Sequence, residues 1–115
     1  MIIAVRTLNI NSAGKVTPVD VRIFMPEADD HVFICRYEID WPDGTIASRA
    51  QGNDMVEALH LALHKLGSEM YMSRYHHEGT LSWRPGWVGY NFPLPKNGRD
   101  LLIGDDQRFF GLDEK

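Results

Sequence analysis

The hydrophobic pattern of this chain changes period once, at Gly52, and this change limits the fold more than any other feature of the sequence. Before Gly52, apolar and polar side chains alternate with a period of two, which is typical of strands with one buried face. After Gly52, apolar residues recur every three or four positions, which is typical of an amphipathic helix. Strands followed by a helix predict an α+β fold.

The part before Gly52 predicts a four-stranded antiparallel β-meander. The predicted strands are about Ile2–Asn11, Val16–Met25, Val32–Trp41 and Thr45–Gln51. Pro26 and Glu27-Ala28-Asp29-Asp30 predict a turn. Pro42-Asp43-Gly44 predicts another, because Pro presets the turn and Gly accepts positive φ. Such short connections imply antiparallel pairing of consecutive strands.

The part after Gly52 predicts one long helix, from about Met55 into the low seventies, packed against the sheet. Asp54 and Glu57 have the spacing of a capping box, which satisfies unpaired N–H groups at a helix start. Gly67 lies inside the helix, where it should cost about 1 kcal/mol relative to Ala; close approach to a strand is one explanation. The predicted buried stripe is Met55, Leu59, Ala62, Leu63, Leu66 and Met70.

The part after Tyr75 predicts little regular structure. A short strand is expected around Thr80–Arg84, followed by the stretch "RPGWVGYNFPLP", whose Gly, Pro and aromatic residues favour an ordered extended segment. Further on, Asp105 and Asp106 are adjacent carboxylates. They suit a divalent cation, but a solvated turn is the favoured interpretation.

Length, charge and cysteine content limit the function classes. The 115 residues fit one domain, residues 1–115. The net charge of −4 disfavours nucleic acid, whose binding depends on Lys and Arg contacts to phosphate. Cys35 is the only cysteine and falls on the buried phase of its strand, so we expect a core thiol in a reducing compartment. No segment is long and apolar enough for a membrane span, so we expect a cytoplasmic protein.

Several motifs spread along the chain resemble the uncharacterised bacterial family DUF6968, a domain of unknown function. They are Arg6-Thr7-Leu8, Gly52-Asn53-Asp54, Ala58-Leu59, Leu61-Ala62-Leu63, Leu66-Gly67, Tyr71, Leu81-Ser82-Trp83, Gly89-Tyr90 and Phe92-Pro93-Leu94-Pro95. The resemblance covers most of the chain and implies a shared fold. It implies no catalytic residues.

The histidines offer one alternative, a zinc site. His60 and His64 lie four residues apart on one face of the predicted helix, and His76, His77 or Glu78 is a candidate third ligand. The metalloprotease pattern needs Glu where this chain has Leu61. We therefore favour a solvated helix face, and we expect no metal and no cofactor.

The aromatic segment is the favoured candidate for a working surface. Trp87 and Tyr90 stand between glycines, with Arg84 and Arg74 nearby, and Trp, Tyr and Arg are the residues that anchor interfaces. For Trp83 and Phe92 we favour the core.

These residues favour a non-catalytic protein-interaction module, with a protein partner or self-association through Trp87, Tyr90, Arg84 and Arg74. Two alternatives stay open. One is a zinc-dependent enzyme that uses the histidines near the long helix. The other is a small-ligand binder with a groove between that helix and the aromatic segment.

Overall fold

The computed structural model describes residues 1–111 and has an α+β fold. Its strands are β1 (Ile2–Ser12), β2 (Lys15–Phe24), β3 (Glu27–Asp29), β4 (Val32–Trp41), β5 (Gly44–Gly52) and β6 (Leu81–Ser82). Its helices are α1 (Met55–Tyr71), α2 (Arg74–His77), a 3₁₀ helix (Lys96–Leu101) and α3 (Gly104–Phe110). None of the helices within residues 1–111 is long and apolar enough to cross a membrane.

The six strands form one antiparallel sheet, in the order β3-β4-β2-β1-β6, and β5 pairs with β4. The predicted four-stranded meander is therefore correct as antiparallel structure but wrong in strand number. One additional strand is β3, which lies where residues 27–30 predicted only a turn, because Glu27, Ala28 and Asp29 pair with the start of β4. The other is β6, which confirms the short strand expected around Thr80–Arg84.

The contacts of the chain group it into two compact units. The first contains residues 1–7 and 17–62, and its longest ladder joins β4 to β5 from Trp41↔Gly44 to Phe33↔Gly52. Cys35, Tyr37 and Ile39 are fully buried at alternate positions of β4, as the period of two predicts. The core thiol predicted for Cys35 is thus confirmed, and burial raises the pKa of this thiol.

The start of α1 confirms the predicted cap. The Glu57 backbone N–H donates to Asp54 Oδ1 at 2.7 Å, and the Glu57 side chain accepts a bond of 2.6 Å from the Asn53 N–H. The return bond therefore reaches one residue further back than in a standard capping box. Each of these bonds satisfies an N–H group that has no partner within the helix.

The buried stripe of α1 is Ala58, Ala62, Leu66 and Met70, all fully buried at intervals of four residues. The predicted stripe was wrong at Met55, which is 41% exposed, and Leu59 and Leu63 lie at its half-buried margins. The stripe is displaced because the small side chain of Ala58 lies on the buried face of the first turn. A hydrophobic pattern alone does not separate such an alanine from a surface one.

The second unit contains residues 8–16 and, within the described part of the chain, residues 63–111. Residues 83–95 have no helix or strand, as predicted for the extended segment. Gly67 of α1 faces this segment, and a Cβ atom there would overlap the carbonyl oxygen of Pro93. The glycine thus permits close approach, although to the extended segment and not to a strand. The prediction of a single helix was wrong, because the structure also contains α2, α3 and the 3₁₀ helix.

Candidate functional site

Two adjacent carboxylates at the start of α3 organise the loop between Trp87 and Asn91. Asp105 Oδ2 accepts a hydrogen bond of 2.6 Å from the Val88 N–H, and the Asp105 N–H donates to the Val88 carbonyl oxygen at 2.8 Å. The bond from Val88 and the ion pair of Asp105 with Arg108 lower the pKa of Asp105. Asp105 therefore fastens one end of the loop to the first turn of α3.

Asp106 holds the rest of the loop and is fully buried. Its Oδ1 accepts bonds of 2.7 Å from Trp87 Nε1 and 2.7 Å from the Asn91 N–H. Its Oδ2 accepts bonds of 2.5 Å from the Tyr71 hydroxyl and 2.8 Å from the Tyr90 N–H. Each oxygen thus accepts two hydrogen bonds, and these bonds replace the water that a buried carboxylate loses.

Gly89 and Gly104 allow this close approach. Gly89 has φ of +118°, and a Cβ atom there would overlap the carboxyl group of Asp106. Gly104 has φ of +50°, and a Cβ atom there would overlap the Val88 side chain. Any larger residue at either position would push the loop away from α3.

The hydrogen-bond network continues from Asp106 to α2. The Tyr71 hydroxyl, which donates to Asp106, accepts a bond of 3.3 Å from the Ile103 N–H, while Tyr90 and His76 Nδ1 form a hydrogen bond of 2.5 Å. The pKa of Tyr71 is raised mainly by burial and secondly by its hydrogen bond to Asp106. The pKa of Tyr90 is raised to about 12, mainly by burial and secondly by the charge of Asp106. Both phenols therefore stay neutral and keep their protons for hydrogen bonding at physiological pH.

An aromatic row lies on this support; we use the name for Trp83, Trp87, Phe109 and Phe110. Successive rings meet edge to face, with centroid distances of 5.7 Å, 6.0 Å and 4.8 Å along the row. Trp87 is half-buried, while Phe109 is 68% exposed. The Arg84 guanidinium stacks 4.3 Å from the ring centroid of Trp83. The row is thus an apolar surface with the Arg84 cation stacked at one end.

A shallow cavity of about 360 Å³ lies beside Trp83. It is lined by Asn9, Asn11, Val16, Ser82, Trp83, Arg84 and Pro85. Asn11 Nδ2 donates to Ser82 Oγ at 3.1 Å, so its walls are held by the β1–β6 pairing. The cavity extends the aromatic row with a surface that is mostly apolar but includes the polar side chains of Asn9, Asn11 and Ser82.

The four residues predicted to bind a partner have different environments. Trp87 belongs to the aromatic row, and Arg84 is exposed beside it. Arg74 lies on α2, stacked 4.8 Å from the ring centroid of Tyr75 and donating to its hydroxyl. The exposure expected for Tyr90 was wrong, because the side chain is 2% exposed: its amide is bonded to Asp106 and its hydroxyl to His76. The binding role of these four residues stays a prediction.

The sequence-based interpretation of Asp105 and Asp106 as a solvated turn was wrong. Asp106 is fully buried and fully hydrogen-bonded, so its role is structural and its carboxylate is closed to a substrate. Phe109 and Phe110 were not predicted as site residues. The signal for them was weak, because two aromatics among charges near the end of a sequence do not show where the chain folds back.

The predicted core position is confirmed for Phe92, which is 2% exposed, but Trp83 is half-buried and belongs to the aromatic row. Among the histidines, His76 and His77 are neighbours with ring centroids 5.6 Å apart. His60 is exposed and His64 half-buried on α1. Within the part of the chain that the structure describes, no three His, Cys, Asp or Glu side chains form a group that could hold a metal.

Comparison with known families agrees with the sequence motifs. Residues 4–94 match DUF6968, a domain of unknown function. The chain belongs to the DUF6968 family. The matched part of this DUF6968 chain contains Tyr71, Trp87 and Gly89, whereas Asp106 and Phe109 follow it in sequence.

No curated protein and no solved structure is similar to this DUF6968 chain at a significant level.

Proposed function

We propose that this DUF6968 chain is a bacterial, cytoplasmic protein-interaction module without catalytic activity, and that the aromatic row with Arg84 is its partner-binding surface. The supporting observation is an exposed aromatic surface on a rigid base. Phe109 is 68% exposed and contacts Trp87, whose indole N–H is bonded to the buried Asp106. An exposed apolar side chain has a cost in water that binding would remove.

The hydrogen bonds beneath the aromatic row favour binding, because side chains that are already fixed lose little conformational entropy when a partner binds. Trp87 is held by a 2.7 Å bond to Asp106, and the loop after it is held by Asp105 and Asp106. Aromatic rings that are fixed before a partner arrives lose less conformational entropy on association. Arg84 adds a cation already stacked on Trp83, and Arg and Trp are enriched among residues that dominate binding energy.

The chemistry favours a protein as the partner. The chain has a net charge of −4, which disfavours nucleic acid, because binding to a phosphate backbone depends on many cationic contacts. The cavity beside Trp83 suits one protruding side chain of a partner, because its volume of about 360 Å³ is small and its accessible surface is mostly apolar. The single buried cysteine supports a reducing compartment.

A Phe109→Ser substitution tests this proposal with little risk to the fold. The protein is first examined by sedimentation for self-association, and then used as bait in lysate of its native host. Any partner found is purified and titrated with each variant. We expect Phe109→Ser to weaken binding at least about tenfold while its melting temperature stays near that of the wild type.

Val56→Ser is the matched control, since Val56 is 76% exposed on α1 and is not part of the row. It should leave the affinity unchanged. Equal affinity of wild type and Phe109→Ser for the purified partner would contradict the proposal, as would equal weakening by Val56→Ser. A protein that neither self-associates nor binds any host protein would contradict it as well.

A further inference from the structure

Strand β1 has an open edge at its beginning; we use this name for residues 2–5. On one side β1 is paired with β2 from the start, since the Met25 N–H donates to the Met1 carbonyl oxygen at 2.8 Å. On the other side β1 pairs with β6, and this ladder contains only Asn9 and Ile10 of β1. No strand in the described part of the chain pairs with the open edge on that side. Alternate residues of a strand direct their N–H and C=O groups to opposite neighbours, so the open edge presents backbone donors and acceptors to a further strand.

The side chains of the open edge are apolar and exposed on both faces of the sheet. Ile3 and Val5 share one face and are 40% and 57% exposed. Ile2, which is 47% exposed, shares the other face with Ala4, which is also exposed. Met1, just before the strand, is 80% exposed. Apolar side chains beside a row of unpaired backbone groups are typical of a strand that pairs with another chain.

The exposed residues of β5, the other long edge strand, are of a different kind. They include Thr45, Arg49 and Gln51, and β5 pairs with β4 alone among the described strands. Polar and charged side chains at an edge discourage further pairing. The open edge of β1 contains no polar side chain. This difference favours a partner strand at β1 over one at β5.

A second copy of the chain fits the open edge, because two identical antiparallel strands related by a two-fold axis offer each other the same donors and acceptors. A pairing centred on Ala4 places Ile3 of each copy opposite Val5 of the other, so apolar side chains meet on one face. Arg6 is then opposite Ile2. The two copies of Arg6 lie about 13 Å apart along the strands, since each residue of a strand advances about 3.3 Å. Like charges are therefore not directly opposite, which would be unfavourable.

The area of the open edge suits a dimer that dissociates on dilution. Covering the exposed parts of residues 1–5 in both copies would remove roughly 1,000 Å² from water, which is about the smallest area of a specific interface. Main-chain hydrogen bonds between the two strands add to this apolar contribution. The two-fold axis closes the pairing, so the assembly ends at two copies.

We propose that two copies of this chain pair through their open edges and form one antiparallel sheet that continues across the dimer. The open edge belongs to the first compact unit, which contains residues 1–7. The dimer does not depend on the interaction function proposed for the aromatic row.

Sedimentation equilibrium of the full chain over a wide range of concentrations tests the proposal. We expect a monomer–dimer equilibrium without larger species. Val5→Lys should weaken dimerisation at least about tenfold, because it places a charge within the apolar contact. Val5→Thr keeps the branched shape and the preference for strands but adds a hydroxyl, so its dimer affinity should lie between those of the wild type and Val5→Lys. Circular dichroism and the melting temperature show whether each variant is folded.

Two control variants locate the interface. Val56→Lys introduces the same charge at a side chain of α1 that is 76% exposed, and Phe109→Ser changes the aromatic row. Both should dimerise as the wild type does. If Phe109→Ser weakens self-association and Val5→Lys does not, the aromatic row is the self-association surface and the open-edge dimer is overturned.

A cysteine cross-link tests the second copy and the register. In the pairing centred on Ala4, the Cβ atoms of the two Ala4 residues are about 5 Å apart, close to the separation that a disulfide spans. Ala4→Cys should therefore form a covalent dimer under mild oxidation much faster than Val56→Cys does. The native Cys35 is fully buried and should not react.

Three results would overturn the proposal. They are a wild type that sediments as a monomer at every concentration, a Val5→Lys protein that dimerises as tightly as the wild type, and cross-linking of Ala4→Cys no faster than that of Val56→Cys. The cross-linking rates decide alone if Val5→Lys does not fold. Binding of the open edge to a different protein by a monomeric wild type belongs to the first of these results.

Discussion

Replacement of Asp106 by Ala should remove a large part of the stability of this chain. The carboxylate accepts four hydrogen bonds, from Tyr71, Trp87 and the amides of Tyr90 and Asn91, and it is fully buried. Each buried donor that loses its acceptor costs about 1–3 kcal/mol, and rearrangement or an entering water would recover part of this. We therefore expect a loss of about 3–5 kcal/mol, against a total of about 5–15 kcal/mol for a typical domain.

Asp106→Asn should have a smaller effect, of about 1–3 kcal/mol. The amide nitrogen has its best position in place of Oδ2, because the Tyr71 hydroxyl can rotate and accept from it. The Tyr90 N–H would then face another donor. In place of Oδ1 the amide would face two donors that cannot rotate, Trp87 Nε1 and the Asn91 N–H.

Urea unfolding followed by circular dichroism and by tryptophan fluorescence measures both variants. Asp105→Asn is the matched control, since Asp105 is adjacent in sequence but only partly buried, and it should be the mildest of the three. An Asp106→Ala protein that is no less stable than the Asp105→Asn protein would refute the argument that the buried carboxylate holds the loop.

Three further predictions follow from individual side chains. Leu66→Ala should cost about 2–5 kcal/mol in chemical unfolding, because Leu66 is fully buried; a change no larger than that of a surface substitution would contradict its core position. Gly67→Ala should lower the melting temperature although Ala favours helices, because its Cβ would overlap the Pro93 carbonyl; a higher melting temperature would show that the segments separate easily. Burial, and then His77, lower the pKa of His76, so protonation favours the unfolded chain. The free energy of unfolding of the wild type should therefore fall as pH drops below about 6.5. The fall should be less steep in His76→Gln, and as steep as in the wild type in His31→Gln, because the His31 side chain is 95% exposed. Equal slopes in all three proteins would contradict this.

Local sequence patterns were sufficient to predict most of the secondary structure of the first compact unit. The alternation in "VFICRYEIDW" predicted β4 with its bounds, and the Asp54–Glu57 spacing predicted the start of α1. Both patterns depend on residues a few positions apart, where the backbone period decides which side chains share a face. Short β3 was missed because its pairing with β4 is decided by the partner strand and not by its own three residues.

The candidate site was only partly predictable, because its contacts join residues that are far apart in the sequence. The aromatic segment was found by its composition, and Trp87 and Arg84 do lie at an aromatic surface. Composition could not show that Tyr90 turns inward, because its partner His76 is 14 positions away. It could not show that Phe109 contacts Trp87 either, because these two residues are 22 positions apart.

The sequence by itself determined the α+β class, the antiparallel strands, the long helix with its cap, and membership of the DUF6968 family. Only the tertiary structure decided the role of Asp106. Two adjacent aspartates with a glycine before them have the composition of a solvated turn, and nothing nearby in sequence argues otherwise. The partners of Asp106 are Tyr71, 35 residues away, and Trp87, 19 residues away. A carboxylate can leave water only where such donors converge, and their convergence is a property of the folded chain.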